Sequence, residues 1–278
     1  NAEIDARMSI AGTYASIRIF DSSMGQSAEM TGAGGYVEID GCSFDAGNLG
    51  GFGGLAGTIK LTSSSFINGA SAGIAGLVHV DNISIDAGLL SIGGESQAHP
   101  VLLDNISVSN HAAGPGIRIS GPNFLLGKNV TLSGNLYPLE MDFSAAGLIH
   151  GSELPTTGNI NNYIPVSHLG LAQHRQWANT GVPYVVGGFP QIHGGTLEVE
   201  PGTNIKFLPD AGACIVGEAT INLRGTRDKP ILLESFSSGQ RCFGLQWVDD
   251  FDARPRHPIF AAVPISLPPD GGVMHLTH

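Results

Sequence analysis

The sequence predicts an all-β parallel solenoid with three short strands in each coil, and three observations carry that expectation. First, an eight-residue frame appears as Val78-His79-Val80-Asp81-Asn82-Ile83-Ser84-Ile85 and returns as Val101-Leu102-Leu103-Asp104-Asn105-Ile106-Ser107-Val108. Second, each copy alternates apolar and polar residues, halts at a polar pair and alternates again. That pattern reads as two short strands meeting at a corner. Third, four more copies fit the frame: Ile17 to Met24, Val37 to Phe44, Ile59 to Phe66, and Ile117 to Phe124. Successive starts lie 20, 22, 19, 23 and 16 residues apart. Such a period is the length of one coil that buries its apolar positions against its neighbours.

At 278 residues the chain exceeds the usual size of one globular core, a limit that a solenoid escapes by growing lengthwise. The 40 glycines and 16 prolines punctuate apolar strands, and 42% hydrophobic residues exclude a disordered chain. Net charge is 13 − 24 = −11, with 13% charged residues and no basic face for phosphates. No nucleic-acid partner is therefore expected, while neutral glycans, cationic surfaces and other proteins stay open. Cys42, Cys214 and Cys242 are far apart and read as buried thiols; a Cys214–Cys242 bridge would require coils that bring the two together. No signal peptide opens the chain and no apolar run has transmembrane length. A mature secreted or surface-displayed protein, or a piece cut from a longer one, has this appearance.

In chain order, residues 1–16 carry no legible cap. The frame governs a first block, 17–135. Between its copies lie Gly47–Gly54 and Gly69–Gly76, whose small residues predict tight turns around a third, weakly patterned strand. Beyond Ile117 the coil continues through Val130–Leu132 and Leu139–Met141. Residues 136–193 are less regular, although Ile164–Val166 and Tyr184–Val186 keep the coil spacing and Gln173–Trp177 reads as a short, helical excursion. A second block, 194–248, holds Thr196–Phe207, then Thr220–Thr226 and Ile231–Leu233, with Leu245–Trp247 as a third copy 24 positions beyond Ile221. Residues 1–248 are expected to form one continuous solenoid. From 249 to 278 the tail is Pro-rich and reads as irregular wrapping or a linker.

Three short strands per coil with Asn or Gly at the first corner resemble the single-stranded right-handed parallel β-helix of the pectin-lyase-like superfamily, over about residues 17–248. The segments Trp177–Val186, Gly195–Phe207 and Gly225–Leu233 are similar to a cassette of secreted bacterial β-helix repeat proteins. That family hosts polysaccharide lyases, glycoside hydrolases, adhesins and members without activity, so the resemblance leaves function open. Its hydrolase branch implies paired aspartates with Gly-His-Gly and Arg-x-Lys segments; no Gly-His-Gly occurs, and Arg227-Asp228-Lys229 has the Arg-x-Lys spacing without that partner segment. Asp249-Asp250 and Arg254-Pro255-Arg256 echo catalytic elements but stand in the tail.

Several rows could carry chemistry. The fourth frame position holds Asp40, Thr62, Asp81, Asp104 and Ser120. Neighbouring coils lie about 4.8 Å apart, so Asp81 and Asp104 are expected side by side. Two readings fit: a Ca2+ site or acid/base pair, or aspartates capping the turn beside Asn82 and Asn105. The second, outward position carries Arg18, Glu38, Lys60, His79, Leu102 and Arg118. In the family this sheet lines the saccharide groove, which makes Lys60, His79 and Arg118 candidate catalytic partners of Asp81 and Asp104; opposite charges on adjacent strands also stabilise a sheet unaided. The seventh position carries Ser43, Ser65, Ser84 and Ser107, then Asn123, a hydroxyl row suited to a polymer surface or to ordinary solvation. Gly41, Ser63, Asn82, Asn105 and Gly121 mark the corner. Asn82-Ile83-Ser84, Asn105-Ile106-Ser107 and Asn129-Val130-Thr131 match the glycosylation sequon, although stacked corner asparagines are structural first. His150, His168, His174 and His193 lack metal-ligand spacing.

The function expected from these features is a secreted or cell-surface module, non-catalytic, that binds extracellular polysaccharide or a cell-surface component or serves as a stalk. A polysaccharide lyase or hydrolase working over the first sheet is the alternative, and ice or mineral binding through the Ser row a second. Ca2+ is the one cofactor in play, and end-to-end or side-by-side self-association is open.

Overall fold

The computed structural model describes residues 3–4, 7–11, 16–25, 29–33, 35–46, 48–52, 58–75, 77–93, 101–120, 124–142, 147–149, 154, 158–167, 174–188, 190–193, 196–216, 220–237, 244–248, 265–266 and 273–276. Among these every regular element is a strand. No helix among the described residues is long and apolar enough to cross a membrane. The chain forms two compact units, Asn1–Glu140 with Pro155–Asn162 and Met141–Leu154 with Tyr163–His278. Each is a parallel β-solenoid in which consecutive coils add strands to the same ladders.

In the first unit the frame supplies two ladders that meet at its corner. Alternation of the leading half builds the first, which stacks Ser16–Phe20, Tyr36–Asp40, Thr58–Thr62 and the leading halves of Leu77–Asp86 and Val101–Ser109 in parallel. The second stacks Ser23–Met24, Ser43–Asp45, Ser65–Ile67, the trailing halves of the same long strands and Thr131–Ser133. The weakly patterned stretches form a third ladder: Arg7–Ala11, Glu29–Ala33, Asn48–Phe52, Ser71–Ala75, Leu90–Gly93 and Pro115–Ser120. The third strand expected within Gly47–Gly54 and Gly69–Gly76 is present.

The corner is a backbone device. Asp21, Gly41, Ser63, Asn82, Asn105 and Asn129 all have left-handed backbone, with φ between 48° and 66°. Asn and Gly enter that region readily, which explains their choice at this position. Each coil's corner amide then donates to the coil above, as in Ser63 N to Asp81 O at 3.1 Å and Asn105 N to Lys128 O at 2.9 Å. A second left-handed series, Ala46, Asn68, Ala87, Asn110 and Gly134, ends the second ladder.

Inward positions form stacks of like residues. Met24, Phe44, Phe66, Ile85, Val108 and Leu132 lie one above another, and Phe44 and Phe66 are parallel, with ring centroids 4.4 Å apart. Burying each such side chain contributes about 1.5–3 kcal/mol. Val37, Ile59 and Val101 are buried on the first ladder as expected, and Ile17 is half-buried.

One expected copy lies elsewhere. Ile117 pairs with Leu90 on the third ladder, and Val101 is followed on the first ladder by Phe124. The 16-residue step that introduced Ile117 is shorter than a coil, so that stretch is the third strand of the preceding coil. Asn129 holds the next left-handed corner. Past it, Asn135 and Asn159 are buried and bond in series. Their Nδ2 groups donate to Val108 O at 3.0 Å and Leu132 O at 2.8 Å, while their Oδ1 atoms accept from His111 N and Asn135 N.

The strands of the second unit stack in three ladders. One stacks Gly147–Ile149, Arg175–Trp177, Thr196–Val199 and Thr220–Arg224. The next stacks Ile164–Ser167, Tyr184–Val186, Asn204–Phe207 and Leu232–Ser235. Arg175–Trp177 is thus a strand and not helical. Its Trp177 stacks on Tyr184 at 4.8 Å, and burial pushes the Tyr184 phenol up. The third ladder is Gln191–His193, Gly212–Val216 and Gly244–Val248. Leu245 therefore pairs with Ala213 and does not continue from Ile221. Gly212 and its partner Gly244 are 244 − 212 = 32 residues apart, against 221 − 197 = 24 for Leu197 and Ile221, and this longer step brings Leu245 by coincidence into the 24-residue spacing. The tail also departs from expectation, because Ile265–Ser266 and Val273–Leu276 are strands that pair antiparallel with Leu232–Ser235 and Thr220–Arg224.

Candidate functional site

The outward surface of the first two ladders in the first unit collects most of the residues singled out from the sequence. Register aligns Arg18, Glu38, Lys60, His79 and Leu102 in one row. Glu38 stands between two cations, 3.3 Å from Arg18 Nε and 2.8 Å from Lys60 Nζ. The Lys60 hydrogen bond, aided by one from Tyr36, holds the Glu38 carboxyl below the ordinary carboxylate range against the opposing effect of burial. The same bond raises Lys60. Arg18 also lies over the Tyr36 ring, 5.6 Å from its centroid. His79 is exposed beside Lys60.

The adjacent row aligns Phe20, Asp40, Thr62, Asp81 and Asp104. Asp81 and Asp104 are thus register partners on adjacent strands, as their common frame position requires. Each carboxylate accepts from a donor one coil further on. Asn105 Nδ2 donates to Asp81 Oδ1 at 2.7 Å, and the Lys128 amide donates to Asp104 Oδ1 at 2.9 Å. Asn129 Nδ2 continues the series to Asn105 Oδ1 at 2.8 Å. Earlier in the row Thr62 Oγ1 donates to Asp40 at 2.8 Å. Gly127 completes the pocket of Asp104: a Cβ there would run into Asp104 Oδ1.

Arg118 leaves this group. It stands on the third ladder opposite Ser91, and its Nε and Nη2 each lie 3.2 Å from Glu140 carboxylate oxygens. The displacement of Ile117 carries it there. Of the five candidates, register joins Asp81 to Asp104 and Lys60 to His79 on one surface, without Arg118. The fit to Ca2+ is poor. That ion takes about six to eight oxygens, whereas among the described residues no group of three or more His, Cys, Asp or Glu could hold a metal.

The Ser row is longer than expected. Ser23, Ser43, Ser65, Ser84, Ser107 and Thr131 are consecutive register partners, with Thr131 in the place expected for Asn123. Ser84, Ser107 and Thr131 are exposed. Beyond it, the Asp45–Asn68 bond at 2.6 Å and the Asp86–Asn110 bond at 2.7 Å repeat the Asp-to-Asn linkage between coils. These linkages were not anticipated, although the recurring offset of 23 to 24 residues between Asp and Asn is visible in the sequence. Two of the three sequon asparagines have their side-chain nitrogens engaged between coils, Asn105 with Asp81 and Asn129 with Asn105.

Cys42 is buried, and burial pushes its thiol up; its Sγ donates toward Asp40 O at 3.4 Å and Ile19 O at 3.7 Å. The Cys214 side chain and Cys242 lie outside the described residues, as do Asp249, Asp250, Arg254, Arg256, His150, His168 and the His193 side chain. His174 is exposed. No family model, curated protein or solved structure matches the chain.

Proposed function

We propose that the chain is a non-catalytic binding module, secreted or displayed at a cell surface, that lays its second ladder and the adjoining corner along an extracellular polysaccharide. The in-register row from Ser23 to Thr131 carries this reading. Six hydroxyls at the coil repeat of about 4.8 Å offer a straight line of donors and acceptors to a ligand that is itself periodic. The neighbouring charges support it by having partners: Glu38 is shared by Arg18 and Lys60, and Asp40, Asp81 and Asp104 accept hydrogen bonds from Thr62, Asn105 and the Lys128 amide. A general acid or base must instead reach its substrate's proton.

A glycan array read beside reducing-sugar and unsaturated-product assays tests the proposal. Saturable binding without product is expected, and Ser84→Lys with Ser107→Lys should abolish it. Product formation that disappears in Asp81→Asn or Asp104→Asn would replace this reading with a lyase or hydrolase. Retention of binding in the double Lys variant would move the ligand to another face.

A further inference from the structure

We propose that Ile265–Ser266 and Val273–Leu276 form a detachable strap that controls self-association, its release opening the last coil of the second unit to strand addition by a second copy of this chain. Two of that unit's three ladders run parallel until these two segments, which reverse them. Ile221, Asn222, Leu223 and Arg224 face Leu276, His275, Met274 and Val273, and Leu232 and Leu233 face Ser266 and Ile265. Without them Thr220–Arg224 and Leu232–Ser235 would each present a row of unpaired backbone groups, which is a template for another strand. The occupant follows from symmetry. Two identical edges related by a two-fold axis meet antiparallel, and the strap demonstrates that both edges accept an antiparallel partner. Its hold is slight, since the two segments are two and four residues long.

The full chain with Met274→Pro and His275→Pro tests this. Proline lacks the N–H, and consecutive residues of an antiparallel strand alternate between bonded and non-bonded sites, so the pair removes at least one ladder bond. Sedimentation velocity should show concentration-dependent dimers in the variant, with self-association at least tenfold tighter than in the parent. A synthetic peptide spanning 262–278 should dissociate them. A variant that associates no more tightly than the parent, or dimers indifferent to the peptide, would overturn the proposal. Should the variant lose its β circular dichroism, hydrogen exchange on the parent decides. Amides at 221–224 and 273–276 are expected to open together and ahead of 197–199, and independent opening would refute the strap.

Discussion

The left-handed corner yields the sharpest prediction, because it reverses an ordinary preference. Asn105 has φ of 53°, donates Nδ2 to Asp81 at 2.7 Å and accepts from Asn129 at 2.8 Å. Asn105→Gly and Asn105→Ala both lose these two bonds. Asn105 is exposed, so each bond is worth the low end of its range, about 0.5 kcal/mol. Gly adds about 0.5–1 kcal/mol through the greater freedom of the unfolded chain. Ala avoids that term but places a Cβ in left-handed backbone, at about 1–2 kcal/mol. The sums are about 1.5–2 kcal/mol for Gly and about 2–3 kcal/mol for Ala. In a regular strand Gly would be the worse residue; here Ala should be worse, by about 0.5–1 kcal/mol. Urea unfolding followed by far-ultraviolet circular dichroism measures both, with slopes compared to confirm a common transition. An Asn105→Ala variant as stable as Asn105→Gly would refute the corner as a backbone constraint. Two variants equal to the parent would remove the Asp–Asn series as well.

By the same reasoning Ala87→Gly, at φ of 58°, should stabilise the chain by about 0.5–1 kcal/mol in the same assay. Val80 is wholly buried, so Val80→Asp should lower the melting temperature severely by placing an unpaired carboxylate in an apolar stack; an unchanged melt would place Val80 outside the core. Glu38 titrates below its unfolded value because of Lys60, so its contribution is present above the unfolded pKa and lost as pH falls through the folded one. The stability gap between parent and Glu38→Gln should therefore close on acidification, and a gap that widens would contradict the ion pair. Thermal melts in calcium and in chelator should coincide for the parent. Binding would instead raise stability by about 2.7 kcal/mol at a hundredfold excess over Kd, an increment that Asp81→Asn would abolish.

What the sequence disclosed and what it concealed divide along one physical line. Period-two alternation is a local signal, so Val37–Phe44, Ile59–Phe66, Val78–Ile85 and Val101–Val108 are legible strand by strand. Their shared eight-residue frame then fixes register, since a slip of one residue would expose a whole apolar face. The adjacency of Asp81 and Asp104 follows from that alone. Ile117 failed because three ladders share one alternation and nothing local says which of them a strand joins; only its short step was a warning. Leu245 failed for the converse reason, as a longer connection mimicked the coil spacing. The antiparallel pairing of Ile265–Ser266 and Val273–Leu276 rests on contacts distant in sequence, with Leu232–Leu233 and Ile221–Arg224. Arg118 was misplaced as a direct consequence of Ile117, and its partner Glu140 lies in a stretch where the frame had already faded.

Repetition also bears on where function can reside. A residue at one frame position meets the same position one coil away, at about 4.8 Å. A charge that recurs must therefore meet its like or be interrupted. The first unit does both. Thr62 separates Asp40 from Asp81, Glu38 alternates with Arg18 and Lys60, and the one uninterrupted carboxylate pair borrows donors from Asn105 and Lys128. Uncharged hydroxyls face no such conflict and can recur without relief, which is why the row from Ser23 to Thr131 runs through six coils unbroken. The proposed polysaccharide contact rests on that recurrence, because a periodic row can meet a periodic polymer at every coil.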